Sequence, residues 1–320
     1  MKQEKRTKNI WQSAIMGVII GDALGLPVQF LSMEELSKAP VTGMRGFGTF
    51  NLPPGTWSDD SSLTLATLES IQRNDAVVYE DIMENYADWL IDGHFTPYGY
   101  AFDQGSTCVR AITNYVKGSD TEHCGITGEY ANGNGALMRI MPVCLYAYEK
   151  EKAGLWSETD ALQCVHKVSA LTHNHIRSQM ACGIYFFLVR AIIEEEGTLM
   201  EKMQKGIDDA NVFYRTDVLN LLEWTRYGRI FDLETFALTE EKDIKSSGYV
   251  VDSLEAAIWS LITTDSMEKA LLKAVNLGAD TDTVGAIAGG LAGLHYGYES
   301  VPVEWRKVIV KGEEILLMCG

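Results

Sequence analysis

The sequence predicts an all-α fold, a single compact domain of many helices that spans residues 1–320. Apolar residues recur with the spacing of one helix face, as in Leu254, Ala257, Ile258, Leu261 and Ile262. The two-residue alternation typical of strands is scarce, and only Val77-Val78-Tyr79 resembles a strand. No low-complexity linker or long run of charge divides the chain, which favours one domain.

The first predicted helix lies near the N-terminus, where an apolar run from Ala14 to Ile20 follows several basic residues. This order superficially resembles a secretory signal peptide. Asp22 follows the run closely, however, and no small-residue cleavage site comes after it. Glycines at every fourth position allow a second helix to approach closely: Gly17, Gly21 and Gly25. We therefore expect a core helix in this segment.

Two acidic segments precede further predicted helices. After Ser58-Asp59-Asp60, apolar residues repeat every three positions, at Leu65, Leu68 and Ile71. The stripe of Ala270, Leu271, Ala274 and Val275 predicts another helix before the second segment, Asp280-Thr281-Asp282-Thr283. The helix after that segment carries Gly285, Gly289 and Gly293. Glycine weakens a helix by about 1 kcal/mol per site relative to alanine, so two matching glycine series indicate close packing.

The charge and composition of the chain argue against some classes of binding partner. The chain has 44 acidic and 27 basic side chains and a net charge of −17, which argues against nonspecific nucleic-acid binding. The apolar stretch from Met180 to Ile193 is too short to span a bilayer and contains Arg190, so no membrane span is expected. The six cysteines form no CxxC pair, which suits reduced, buried thiols in the cytoplasm. The sequence leaves the oligomeric state open, with a monomer slightly favoured.

Either acidic segment alone is adequately explained as a helix N-cap, because serine and aspartate accept bonds from unpaired backbone amides there. Together the two segments supply four carboxylates and adjacent hydroxyl groups. If close helix packing joins them, each pair of like charges ~4 Å apart costs about 4 kcal/mol at an effective dielectric constant near 20. Two divalent cations would neutralise four carboxylates. Because the donors are all oxygen, Mg²⁺ or Mn²⁺ is favoured, Ca²⁺ is possible and Zn²⁺ is disfavoured.

Short motifs distributed along most of the chain are similar to those of a known family. They are Gly21-Asp22-Ala23-Leu24-Gly25, Gly55-Thr56-Trp57-Ser58-Asp59-Asp60, Phe102-Asp103-Gln104-Gly105, Gly133-Asn134-Gly135-Ala136-Leu137-Met138-Arg139, Leu171-Thr172-His173 and Gly278-Ala279-Asp280-Thr281-Asp282-Thr283. In their order and spacing the chain resembles the ADP-ribosylglycohydrolases of the dinitrogenase reductase-activating glycohydrolase and ADP-ribosylarginine hydrolase type. The resemblance implies an all-α fold with a binuclear magnesium or manganese centre.

The resemblance also implies roles for individual residues. The implied metal ligands are Ser58, Asp59, Asp60, Asp280, Asp282 and Thr283. The implied catalytic residues are Asp103, as the acid or base beside the metals, together with Asp60 and Asp282. The implied substrate-binding residues are the loop Asn132, Gly133, Asn134 and Gly135, which contacts ADP-ribose, and His173 at the cleft.

Each of these additional residues has a simpler structural interpretation. Asp103 could cap a helix, and Asn132 to Gly135 could be a turn. His173 and His175 invite a zinc interpretation, but no cysteine lies nearby and no third ligand fits, so a hydrogen-bonded structural histidine is an alternative. Arg139 could be structural. Trp57, Tyr98 or Tyr100 could stack on adenine or a leaving group, or belong to the core.

The implied function is metal-dependent hydrolysis of the glycosidic bond between ADP-ribose and an acceptor, with an arginine side chain of a protein as the favoured acceptor. Serine-directed members of the family use an additional glutamate in the loop after the first helix. This chain has Gln29 in the neighbouring apolar motif and Glu34-Glu35 further along, with no clear counterpart, which favours arginine. Small ADP-ribose conjugates and modified nucleic acid are alternative substrates. A noncatalytic, crystallin-like relative that binds ADP-ribose or serves a structural role is another alternative, as is a metal-free two-carboxylate glycosidase.

Overall fold

The computed structural model describes residues 2–216 and 218–320. Sixteen α-helices occur in these ranges: α1 Lys2–Gly25, α2 Met33–Lys38, α3 Asp59–Asn74, α4 Tyr79–Asp92, α5 Ser106–Val116, α6 Met141–Lys152, α7 Glu158–Ala170, α8 Ile176–Glu194, α9 Leu199–Tyr214, α10 Val218–Trp224, α11 Leu233–Ala237, α12 Val250–Ile262, α13 Met267–Asn276, α14 Thr281–Tyr296, α15 Val303–Val308 and α16 Gly312–Met318. Short 3₁₀ helices lie at Leu26–Val28, Leu137–Arg139, Thr225–Ile230, Glu241–Asp243 and Tyr298–Ser300.

The predicted all-α fold is confirmed, since the described ranges contain no β-strand. β-type pairing there is limited to two isolated bridges, Ile126 with His173 and Gly133 with Tyr249. The segment Val77-Val78-Tyr79 is not a strand. Asp75 ends α3 in the left-handed conformation, with φ of 47°, and Val78 is the N-cap of α4.

Helices α1 and α14 form the closest helix pair of the core. A Cβ atom on Gly17 would overlap the Gly289 carbonyl, and one on Gly21 would overlap the Gly285 carbonyl. This is the contact that the two glycine series predict. Thr281 donates a 2.8 Å hydrogen bond from Oγ1 to the carbonyl of Gly25, so the C-terminal end of α1 meets the start of α14.

Two segments, Ile10–Val28 and Ile176–Glu194, are long and apolar enough to cross a membrane, which is weak evidence by itself. In the fold, 83% and 78% of their 18-residue windows are buried against other parts of the protein. Core helices of this length have the same composition, and α1 and α8 pack in the main hydrophobic core. All six cysteines are buried with free thiols.

Candidate active site

The start of α3 is capped by groups that leave Asp59 and Asp60 available. Ser58 is the N-cap, and its Oγ accepts a 3.4 Å hydrogen bond from the amide of Asp60. Asp22 of α1 accepts hydrogen bonds from the amides of Ser58, at 2.9 Å, and Ser61, at 3.1 Å, and from the Ser61 hydroxyl at 2.5 Å. Capping therefore explains Ser58 and Asp22, and it does not use the two following carboxylates.

The start of α14 is held by neighbouring loops. Asp280 makes no side-chain cap; its Oδ2 accepts a 2.6 Å hydrogen bond from Nδ2 of Asn134. Ala279 has φ of 58°, a left-handed conformation that costs an alanine energy. Two 2.7 Å backbone hydrogen bonds with Phe30 and Leu31 hold it there. The strained turn sets where the chain enters α14.

The two acidic segments meet at a buried position. Thr283 donates a 3.4 Å hydrogen bond from Oγ1 to Oδ2 of Asp60, and Ser58 donates one of 3.1 Å to the same oxygen. Asp60 is 1% exposed and Asp282 is 0% exposed. Oδ1 of Asp60 and Oδ2 of Asp282 are buried without a hydrogen-bond partner. Buried, unpartnered carboxylate oxygens need compensation.

The electrostatics of this cluster are unfavourable for the carboxylates alone. Burial raises the pKa of Asp59, Asp60 and Asp282 well above the usual aspartate range. Repulsion by neighbouring carboxylates raises each pKa further, chiefly from Asp103 for Asp59, from Asp22 for Asp60 and from Asp60 for Asp282. Burial also raises the pKa of Asp22, to about 6. Burial and repulsion thus both disfavour the ionised form of these carboxylates.

Asp103 lies beside this cluster and does not cap a helix. Gly105 is the N-cap of α5, and its amide lies 3.4 Å from Oδ2 of Asp59. Asp103 adopts a left-handed conformation with φ of 51°. Burial raises the pKa of Asp103, contacts with Asp282 and Gln29 lower it, and the Asp280 carboxylate raises it. Its Oδ2 is buried without a partner.

The donor chemistry at this position fits a hard divalent cation. All the side-chain donors are oxygen atoms, and three buried carboxylate oxygens, on Asp60, Asp103 and Asp282, have no partner. In residues 2–216 and 218–320, however, no three acidic, histidine or cysteine side chains converge in a metal-binding geometry. Asp60 accepts a hydrogen bond from the Thr283 hydroxyl, and Asp282 accepts one from the Thr283 amide. The metal assignment therefore stays a prediction.

A cleft of about 330 Å³ opens beside the acidic cluster. Its lining includes Asp59, Asp103, Asp280, Thr283 and His173. Ser58, Asp60 and Asp282 are buried and do not line it. Cavities of about 390 and 500 Å³ lie elsewhere and contain none of the predicted site residues. Predicted site residues line the smallest of these three cavities, so cavity size alone does not identify the site.

The glycine-rich loop borders this cleft. Asn134 donates a 3.0 Å hydrogen bond from its amide to the Gly248 carbonyl, and Gly133 and Gly135 line the cleft. A Cβ atom on Gly135 would lie 2.9 Å from Cε1 of His173, so glycine is required by close approach. Asn132 does not line the cleft; its side chain bonds the Glu129 carbonyl at 2.8 Å. The structure thus gives Asn132 a supporting position.

The two histidines of the sequence motif have different positions. His175 is the N-cap of α8 and accepts a 3.2 Å hydrogen bond from the amide of Arg177. His173 is 2% exposed and lines the cleft. Burial, with a further contribution from Arg139, lowers the pKa of His173 to about 3, so its imidazole is neutral. The pair does not form a metal site.

Three residues lie at or behind this cleft that were not predicted there from the sequence. Asp22 belongs to the Gly21-to-Gly25 motif, where a charged residue inside an apolar helix was an available signal. Gln29 lines the cleft, is 5% exposed, and has a buried Oε1 without a partner. Arg139 is fully buried beside Tyr86. No local pattern indicates where Gln29 and Arg139 point.

Of the three aromatic residues considered for stacking on the substrate, one is buried and two are partly exposed. Trp57 is 1% exposed and donates a 2.9 Å hydrogen bond to the Val310 carbonyl, so it belongs to the core. Tyr98 and Tyr100 are partly exposed and stack on each other, with ring centroids 6.4 Å apart. The Tyr100 ring also contacts Phe102, next to Asp103. These rings therefore lie near the acidic cluster without lining the cleft itself.

Known proteins are similar to this chain over nearly its whole length. The ADP-ribosylglycohydrolase family model matches residues 3–319. ADP-ribosylarginine hydrolase Tri1 of Serratia proteamaculans is 31% identical over 306 residues, which cover 95% of this chain and 76% of the relative. ADP-ribosyl-[dinitrogen reductase] glycohydrolase of Rhodospirillum rubrum is 30% identical over 297 residues, covering 91% and 87%.

A solved structure of an ADP-ribosylglycohydrolase-related protein complex superposes with a TM-score of 0.79 at 28% identity. The superposition covers 98% of this chain and 97% of the solved one. The family model, the relatives and the shared fold extend over nearly all of the sequence. The chain belongs to the ADP-ribosylglycohydrolase family and is a glycohydrolase enzyme of that class.

Proposed function

We propose that the enzyme hydrolyses the N-glycosidic bond between ADP-ribose and an arginine side chain of a protein, with two Mg²⁺ or Mn²⁺ ions held by the acidic segments. One observation carries the proposal. Carboxylates from the starts of α3 and α14 meet in a buried cluster, where oxygen atoms of Asp60 and Asp282 lack partners. Divalent cations that prefer oxygen ligands would stabilise the ionised carboxylates of such a cluster.

The residues that would hold the ions are Ser58, Asp59, Asp60, Asp280, Asp282 and Thr283. When bound, divalent cations supply positive charge that orients substrate hydroxyls and a water molecule and favours ionisation of that water. The protein supplies the fixed frame. Asp22 fixes Ser58 and Ser61, and Asn134 fixes Asp280 through the 2.6 Å hydrogen bond.

Asp103 is the residue that we propose to transfer the proton. Its unpartnered Oδ2 is buried and its side chain lines the cleft. It would accept a proton from the attacking water as the oxygen bonds to the anomeric carbon of ribose. As the carbon–nitrogen bond breaks, the same proton would pass to the leaving guanidine nitrogen. The products are ADP-ribose and an unmodified arginine, and no further reactant is needed.

Arginine is the proposed acceptor for two reasons. Two relatives at 31% and 27% identity carry the name ADP-ribosylarginine hydrolase. In addition, Gln29 lines the cleft, and its amide oxygen, buried and without a partner in this structure, is a group that can accept a hydrogen bond from a guanidinium group. Small ADP-ribose conjugates share the sugar and diphosphate, so the same cleft would accept them as a second class of substrate.

The test compares release of ADP-ribose from ADP-ribosylarginine and ADP-ribosylserine proteins. Each reaction is run with Mg²⁺, with Mn²⁺ and with EDTA. We expect release from arginine that requires a cation and is lost in Asp60→Asn and Asp282→Asn. Asp265→Asn, which changes an exposed carboxylate paired with Lys269, is the matched control. Full activity of folded Asp60→Asn and Asp282→Asn would reject the site, and preference for serine would reject the acceptor.

A further inference from the structure

Arg139 is a fully buried arginine whose hydrogen bonds go to neutral groups. Its Nη1 donates to the Tyr86 hydroxyl at 2.6 Å, and its Nη2 donates to Oγ1 of Thr172 at 2.8 Å and to the Val168 carbonyl at 3.4 Å. The guanidinium carbon lies 4.7 Å from the centre of the Tyr86 ring. Burying such a charge is costly, so its placement needs an explanation beyond packing.

The direction of each hydrogen bond follows from the chemistry of arginine, which has donors and no acceptor. Tyr86 must therefore accept from Arg139, which leaves its own proton for Oγ1 of Thr67, 2.6 Å away. Thr67 in turn donates to the Leu63 carbonyl at 2.7 Å. Nη1 and Nη2 of Arg139 are thus held by hydrogen bonds, while its Nε is buried without a partner.

Nη2 of Arg139 is connected to the cleft through Thr172 and His173. Because Thr172 accepts from Nη2, its hydroxyl proton is free for Nδ1 of His173, 2.9 Å away. Cys108 is the competing acceptor, but burial raises the pKa of its thiol to about 12. A neutral thiol is a much weaker acceptor than an imidazole nitrogen. Thr172 therefore donates to His173.

The tautomer of His173 follows from this bond. A neutral imidazole carries one proton, and when Nδ1 accepts, the proton lies on Nε2. Nε2 faces the glycine-rich loop, because a Cβ atom on Gly133 or on Gly135 would lie 3.4 Å from it. His173 and both glycines line the cleft. The N–H group of His173 is thus directed toward the space a ligand would enter.

We propose that Arg139 and Thr172 are positioning residues that fix His173 as the Nε2–H tautomer, so that His173 presents a neutral hydrogen-bond donor to the cleft. In this form His173 binds an oxygen atom of the ligand and does not remove a proton from the reacting water. The identity of that oxygen, on ribose or diphosphate, rests on the proposed function. The tautomer itself does not depend on it.

The first experiment measures the tautomer of His173 by ¹⁵N NMR of the ligand-free protein, with His173→Gln used to assign its signals. We expect the wild-type protein to show a protonated Nε2 and an unprotonated Nδ1. Thr172→Val removes the donor to Nδ1 and should change the Nδ1 shift or mix the tautomers. Thr172→Ser retains a hydroxyl and should restore the wild-type pattern. Thr264→Val, which removes a hydroxyl bonded to the Ser260 carbonyl outside this network, is the matched control and should leave it unchanged.

The second experiment measures the Kd for ADP-ribose by calorimetry with the same variants. Thr172→Val should weaken binding by about threefold to tenfold, the effect of losing one hydrogen bond, while Thr172→Ser and Thr264→Val bind like wild type. A protonated Nδ1 in wild type, or an unchanged His173 spectrum in Thr172→Val, overturns the tautomer proposal. The expected spectra together with no binding of ADP-ribose by wild type would overturn the proposed function instead.

Discussion

Thr283 at the start of α14 donates a 3.4 Å hydrogen bond to Asp60 at the start of α3, although the two residues are 223 positions apart. This contact joins the two acidic segments. It directs one oxygen of Asp60 toward a neutral hydroxyl and leaves the other oxygen, Oδ1, buried without a partner. The stability and the chemistry of the site therefore depend on what compensates that oxygen and its neighbours.

Removing a carboxylate should stabilise the metal-free protein and weaken its stabilisation by cations. In EDTA, Asp60→Asn should raise the melting temperature by about 2 °C or more, because it relieves like-charge repulsion in a buried cluster. With Mn²⁺ present, the same variant should lose the stabilisation that the ions give wild type. Differential scanning calorimetry with and without Mn²⁺ checks both effects. A lower melting temperature for the variant in EDTA would contradict the repulsion argument.

The metal-free protein should lose stability as pH rises. An unfolded aspartate releases its proton near 3.8, whereas the folded protein raises the pKa of Asp22 to about 6 and those of Asp59, Asp60 and Asp282 well above the usual range. Between these values the folded state binds more protons than the unfolded state. Raising pH therefore favours unfolding.

The measurement is the urea midpoint between pH 4.5 and 8 in EDTA, where we expect a steady decline from this cluster. Saturating Mg²⁺ or Mn²⁺ should reduce the decline, because the cations stabilise the ionised carboxylates. Asp60→Asn should reduce it as well, by removing one of the titrating groups. A midpoint in EDTA that rises over this interval in wild type but not in Asp60→Asn would refute the assignment.

The contact between α1 and α14 should be intolerant of a single methyl group. Gly289→Ala places a Cβ atom against the Gly17 carbonyl, which cannot move without shifting α1. We expect a loss of about 1–3 kcal/mol in the free energy of unfolding, the usual range for overpacking. Gly228→Ala is the control, because the nearest atom to its Cβ is Cε2 of Phe231 at 4.0 Å. Equal stabilities of the two variants would show that the helices separate readily.

Asp22 should matter for metal affinity although it is not among the proposed ligands. Asp22→Asn replaces one acceptor oxygen with a donor group facing the amides of Ser58 and Ser61. We expect Mn²⁺ affinity to fall by about 10- to 100-fold, as for other supports of metal ligands. Calorimetric titration with Mn²⁺ measures this. Asp81→Asn, which alters a carboxylate bonded to Ser70 and Arg73 away from the site, should bind Mn²⁺ like wild type.

Gln29 should influence the choice of acceptor. Gln29→Glu adds a negative charge beside Asp103 and removes the amide, so hydrolysis of ADP-ribosylarginine should slow and the pH optimum should move upward. Gln29→Ala removes the contact that lowers the pKa of Asp103 but adds no charge, so it should slow the reaction with a smaller upward shift of the pH optimum. Rate profiles from pH 5 to 9 on the arginine and serine substrates separate the two effects. Identical profiles for wild type and both variants would exclude a role for Gln29.

The periodic pattern predicted the all-α fold because helix spacing is a local property of the sequence. The glycines at every fourth position predicted close helix packing, and Gly17 and Gly289 pack together as expected. The strand-like Val77-Val78-Tyr79 segment was misleading because three β-prone residues without a partner strand cannot form a sheet. Here the left-handed Asp75 ends one helix and Val78 begins the next.

The sequence by itself determined which residues are acidic, which helices follow them and which family the motifs resemble, since all of these can be read from neighbouring positions. Only the tertiary structure decided which oxygen atoms remain unpaired. Asp22 caps Ser58 from 36 positions away, and Asn134 bonds Asp280 from 146 positions away. Hydrogen bonds of such long range depend on how whole helices pack, so the roles of Asp22, Gln29 and Arg139 emerge only once the chain has folded.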